Sequence, residues 1–214
     1  VVIISIFNPQ IFKSLFIDIL IRSSILYSLK SSNKKLRSDC GYSIEISKIE
    51  VTTHESAIRI ISKSGPLANP ADRDHCLQYM IAVPLITGDL IAENYENQYH
   101  QNDPRIDILR DKMQITEDKR YSDDYHDPSK RSIANAIQVF FKDGSSTEKV
   151  EIEYPVGHRR RREEGIPLLE AKFKKNLETR FPAWKCDKIF GICLDQDRLE
   201  STPVKDFMDL FRIN

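Results

Sequence analysis

Apolar positions along this chain follow two periods, and the changes of period mark its elements. Tyr42, Ile44 and Ile46 recur at every second position, and Ile49 and Val51 resume the alternation after a shift of phase at Ser47-Lys48. That pattern predicts a strand with an irregularity. His54 to Ser62 reads as a short helix or a second strand, closed by the turn residues Ser64-Gly65-Pro66. The period then changes: Leu77, Met80, Ile81, Pro84 and Leu85 fall near one another at helical spacing, and His75 and Tyr79, four apart, share a face of the same predicted helix. Its start is sharp because Asn69 can accept from the free N–H groups of the first turn, Pro70 needs no N–H there, and Asp72 suits the positive end of the helix dipole.

Further on, Asp89 to Tyr95 and Arg105 to Asp111 predict short helices, the latter started by Asp103-Pro104, and Met113 to Thr116 a strand. Glu117 to Lys130 reads as an acidic, tyrosine-rich loop. The clearest local signal is a β-hairpin: Ser132 to Lys142 is β-branched and aromatic, Asp143-Gly144-Ser145-Ser146 is a tight turn, and Val150, Ile152 and Tyr154 alternate with charged residues. An arginine run, Arg159 to Arg162, precedes an amphipathic helix over Pro167 to Phe181 and further helices over Lys185 to Leu194 and Val204 to Phe211. Before all of this, Ile11 to about Lys30 is a possible helix after the Asn8-Pro9 turn. Together these elements predict an α+β fold: a small antiparallel sheet with helices on one face, plus C-terminal helices.

At 214 residues the chain is long enough for a sizeable core without disulfides. Its 32 basic and 32 acidic residues cancel, so there is no global field for nucleic acid or an anionic membrane. Cys40, Cys76, Cys186 and Cys193 show neither C-x-x-C nor zinc-finger spacing, so reduced thiols and no metal are expected; Cys186 and Cys193, seven apart, read as core. Asn8, Pro9, Lys13, Asp18 and Arg22 interrupt the apolar first 29 residues, so neither a spanning helix nor a secretory signal is expected there. A cytoplasmic protein is the simple expectation.

One set of motifs points further. Thr53-His54-Glu55 with Ile58 to Ile61, Gly65-Pro66-Leu67 through Tyr79, Asp103 to Ile106, His126-Asp127-Pro128 with Lys130 to Ala136, Phe141 to Gly144, Tyr154 to Arg162, and Pro203-Val204 with Phe207 to Phe211 stand in one order. In these segments the chain resembles the C-terminal part of the MmgE/PrpD family. The resemblance implies a large, mainly helical domain, mostly missing from this chain, and a smaller α+β domain. Residues 42–165 would be the α+β domain, 166–214 C-terminal helices packing on the helical domain, and 1–41 an atypical segment. It implies a homodimer and a hydro-lyase that dehydrates 2-methylcitrate to 2-methyl-cis-aconitate in propionate breakdown, without an iron–sulfur cluster or other cofactor. The family's active site lies between the two domains, with most acid–base residues in the missing part.

The tyrosine of the family's His-x-x-Gln-Tyr pattern matches Tyr79, which could donate a hydrogen bond to the departing hydroxyl or to a carboxylate; a tyrosine at a core edge is the plainer reading. His75 could orient it or share the proton, and Arg73 could clamp a carboxylate or pair with Asp72 or Asp74. Arg159 or a neighbour could reach substrate; otherwise its run is a solvated loop neutralised by Glu163 and Glu164, or an interface cluster. No aromatic interleaving supports RNA binding. His54, His100 and His126 lie far apart in sequence and read as structural or exposed. A non-catalytic dimerisation or interaction remnant is the alternative to a dehydratase fragment with tricarboxylate substrate.

Overall fold

The computed structural model describes residues 46–213, and the expectations for the first 41 residues and for Tyr42 to Glu45 lie outside them. The described residues fall into two compact units, 46–160 and 161–213.

The first unit is built on four strands, β1 (Ile46–Thr53), β2 (Met113–Glu117), β3 (Asn135–Phe141) and β4 (Val150–Ile152), in the order β2-β1-β3-β4. Ile46 pairs with Phe141 but Lys48 with Phe140, so the extra residue is Ser47, where the sequence shifts phase. Beyond it Ile49 stands opposite Val139 and Met113, and Val51 opposite Ile137 and Ile115, which places all six on the core face. The hairpin forms as expected, with Gly144 at φ 83° in its turn.

The sheet is mixed rather than wholly antiparallel, because β1 and β2 run parallel. Five helices fill the connection between them: α1 (Glu55–Ile61), α2 (Pro70–Asp74), α3 (Leu77–Thr87), α4 (Asn97–Asn102) and α5 (Arg105–Arg110), with a 3-10 turn over Ala92–Tyr95. Parallel neighbours need such a long crossover. The α+β class stands.

Asn69 caps α2 as its sequence demands, its Oδ1 accepting from Asp72 N at 3.0 Å. The expected single helix, however, is two. His75 leaves helical geometry and Cys76 is extended, at φ −121° and ψ 108°. The break leaves Arg73 before it and Cys76 after it both buried. It also separates His75 from the helix of Tyr79, so the shared face predicted by their spacing does not form. From Leu77 to Leu85 every residue of α3 is buried, so this is a core helix covered all round rather than a striped surface helix. Gly88 ends it in the left-handed region, at φ 83°.

The acidic loop after β2 is instead α6 (Lys119–His126), capped by Asp118, whose side chain accepts from Arg120 N at 2.8 Å. Tyr121 anchors it in the interior.

The second unit is helical: α7 (Arg162–Glu178), α8 (Ala183–Leu194), α9 (Gln196–Ser201) and α10 (Val204–Asp209). The first of these begins at Arg162, not Pro167, because Glu163 and Glu164 favour its start and Pro167 is accommodated inside it. Leu177, Cys186 and Ile189 form the centre of a small core, with Phe173, Phe190 and Cys193 against it. Both cysteines expected in the core are there.

Candidate functional site

Tyr79 lies on the buried helix α3 with no exposed surface, and its hydroxyl donates to the Asn94 carbonyl at 2.5 Å. Burial pushes the phenol far above its ordinary range, against the opposing charge of Arg73, so it is a permanent O–H donor. Arg73, also fully buried, is held by three elements. Its Nε donates to the Tyr95 carbonyl at 2.7 Å, its Nη1 to the Leu67 carbonyl at 3.2 Å, and its Nη2 to the Asn97 side chain. A guanidinium spread over backbone carbonyls in this way ties α2 to the 3-10 turn and to α4.

The residue that completes this cluster is His100, which carried no motif. Its ring stands edge-on to Tyr79 at 5.4 Å between centroids, its Nδ1 faces Arg73 Nη1 at 3.4 Å, and its Nε2 lies 3.1 Å from Asp107 Oδ2. Arginine only donates, so Nδ1 is the acceptor and Nε2 carries the proton toward Asp107. Arg110 reaches the same carboxylate at 2.5 Å. Burial works against ionising Asp107, but the hydrogen bonds from Arg110 and His100 outweigh it and hold the carboxyl below its ordinary value. Only the convergence of α3, α4 and α5 brings these residues together.

His75 stands apart from this network: it is exposed, with its Nδ1 against the Asp74 carboxylate. Arg159 is elsewhere again, in a 3-10 turn over Arg159–Arg161 that follows β4. Its Nη2 donates to the carbonyls of Ser129 at 2.8 Å and Pro128 at 3.2 Å. Arg160 joins it, donating to Ser129 O at 3.0 Å and to the Tyr154 hydroxyl at 2.7 Å, with its guanidinium over the Tyr154 ring. Nearby, through the chain, His54 stacks on Tyr125 at 4.4 Å and Tyr125 meets His126 edge-on. These loops follow the carboxyl ends of β1 and β2 and precede β3, whereas α5 leads into the opposite end of β2. Ligands of sheets with parallel strands favour the carboxyl end.

Among the described residues no group of three or more His, Cys, Asp or Glu side chains could hold a metal ion, and no helix is long and apolar enough to cross a membrane.

The family model of the MmgE/PrpD C-terminal domain matches residues 30–196. The chain belongs to the MmgE/PrpD family. Within that family it is 53% identical over 169 residues to the 2-methylcitrate dehydratase of Escherichia coli K12, and equally so to that of Cupriavidus necator, covering 79% of this chain and 35% of each relative. The mitochondrial 2-methylcitrate dehydratase of Yarrowia lipolytica is 48% identical over 167 residues, which is 78% of this chain and 32% of that protein. The chain therefore spans about a third of the length of the curated relatives it matches.

Proposed function

We propose that this chain is the C-terminal part of a 2-methylcitrate dehydratase, a hydro-lyase of propionate catabolism, and that it supplies one wall of an active site completed by the rest of the protein. The observation that supports the reading is an identity near one half, sustained over 169 residues, to relatives bearing that name.

Dehydration removes a proton from one carbon while the hydroxyl on its neighbour leaves as water, so a placed base and a placed acid are required. Tyr79 serves here as a neutral donor, buried at the back of the wall with its O–H on the Asn94 carbonyl, which a shift of the 3-10 turn over Ala92–Tyr95 would free for the departing oxygen or a substrate carboxylate. Arg73 acts behind it as a positioning residue, since each of its nitrogens already has a partner. His75, steadied by Asp74, is the proton carrier this chain can offer. The remaining acid–base groups come from the other part of the protein. The active form is a cytoplasmic homodimer taking a small tricarboxylate, with neither nucleic acid nor membrane as partner and no cofactor.

A chimera tests this: residues 46–213 of this chain replace the matching portion of the Escherichia coli relative. Turnover of 2-methylcitrate within about tenfold of the parent supports the proposal. A soluble, folded chimera without turnover contradicts it and favours a non-catalytic interaction module.

A further inference from the structure

The arginine run separates into two kinds of arginine. Arg161 pairs with Glu164 at 2.6 Å, as a solvated loop would have it. Arg159 and Arg160 do not: both are exposed, and among the described residues neither has a carboxylate partner. Their hydrogen bonds go to carbonyls and a phenol, which fix where the guanidinium planes lie without neutralising them. Arg159 uses only Nη2 in this way, leaving Nε and Nη1 for another acceptor.

The loop they rest on presents a third arginine, Arg131. It is exposed, has no acidic partner among the described residues, and is the one non-glycine among them at positive φ, 48°. An arginine gains nothing for folding from the left-handed region, where asparagine or glycine would sit with less strain. The acids around the loop are otherwise engaged. Asp124 holds Lys130 at 2.6 Å, and Asp127 accepts from Ser129 N at 2.7 Å. Glu153 acts on Tyr154 and Lys130. His158 locks the two loops together, its Nδ1 accepting from Arg160 N at 3.2 Å while its ring also bonds the backbone at Arg131.

We propose that Arg131, Arg159 and Arg160 form a recognition platform for a small polycarboxylate beside the carboxyl ends of β1 and β2. Guanidinium groups match carboxylates in charge and in hydrogen bonding, and the backbone carbonyls that hold Arg159 and Arg160 have already met much of the cost of ordering those two. The choice of a tricarboxylate rests on the function proposed above; the anion platform does not.

The test is titration of the full chain with tricarballylate, which has three carboxylates and no hydroxyl to eliminate, followed by the arginine Nε–H resonances at constant ionic strength. Saturable shifts at Arg131, Arg159 and Arg160 are expected, with sulfate producing much smaller ones. The Arg159→Gln/Arg160→Gln variant is expected to raise Kd about tenfold. Because that variant also removes loop ties, Arg131→Asn is the second: it should weaken binding while the melting temperature holds or rises, since asparagine suits the left-handed backbone. No saturable binding to the folded chain overturns the platform, as does a Kd unmoved by both variants. Equal shifts with sulfate reduce it to a nonspecific anion patch and overturn polycarboxylate recognition. If the platform binds while the chimera is inactive, the catalytic reading alone falls; if the chimera is active and Arg131→Asn leaves its KM unchanged, the platform alone falls.

Discussion

His54 shows how a single residue type sets a pH limit on this fold. It caps α1 through Nδ1, which accepts from Ala57 N at 3.2 Å and can do so only while neutral. Burial lowers its pKa from the ordinary 6.5, helped by His126 and opposed by Glu55. Between the folded and unfolded values the unfolded chain binds more protons. The stabilisation is therefore complete above about pH 6.5 and is lost as pH falls through the folded value. His54→Asn keeps a capping acceptor that does not titrate. Urea midpoints compared at about pH 7.5 and about pH 5.5 should drop less in this variant than in the parent; an equal drop would remove His54 from the acid response. Tyr79→Phe is a second residue-scale prediction. It strips the donor from the buried Asn94 carbonyl and should cost about 1–2 kcal/mol in urea unfolding. His100 shows what sequence does not announce. Lone histidines in separate segments look alike in a sequence, and only the packing of α4 against α3 and α5 gave this one Tyr79, Arg73 and Asp107 as neighbours.

Elements defined by local chemistry were legible, and those defined by distant partners were not. The Asn69-Pro70 start, the phase shift at Ser47 and the turn at Asp143-Gly144 each act within a few residues, and each stands as read. The break at His75-Cys76 has no proline or glycine to mark it. Arg73, just before it, is held by partners 6 to 27 residues away, which the local sequence does not show. The parallel pairing of β1 with β2 is likewise a property of the whole crossover. The helix α6 hid in a polar stretch because its buried residues are Tyr121, Ser122 and Asp124 rather than an apolar stripe. The cap at Asn69 gives the element-scale prediction: Asn69→Ala leaves the Asp72 N–H without its acceptor and should lower stability by about 1 kcal/mol, read from the urea midpoint. No change there would mean that α2 is held by Arg73 alone.

At the scale of the molecule, the unit 161–213 leaves Trp184, Val204, Ile213, Leu168 and Met208 exposed around a core of few buried side chains. So many large apolar side chains in the open favour burial against other protein. The isolated chain should self-associate as its concentration rises in sedimentation velocity, and Trp184→Glu should reduce that association; a monomer at all concentrations would contradict this. The central claim is that the chain forms one wall of a shared dehydratase site. It is tested most directly by turnover of 2-methylcitrate, followed by the ultraviolet absorbance of the new conjugated double bond, with the chain alone and mixed with a separately made N-terminal part of the Escherichia coli relative. The account predicts no product from either part alone, product from the mixture, and its loss with Tyr79→Phe at a temperature where that variant is folded. A soluble mixture of folded parts that makes no product would contradict it.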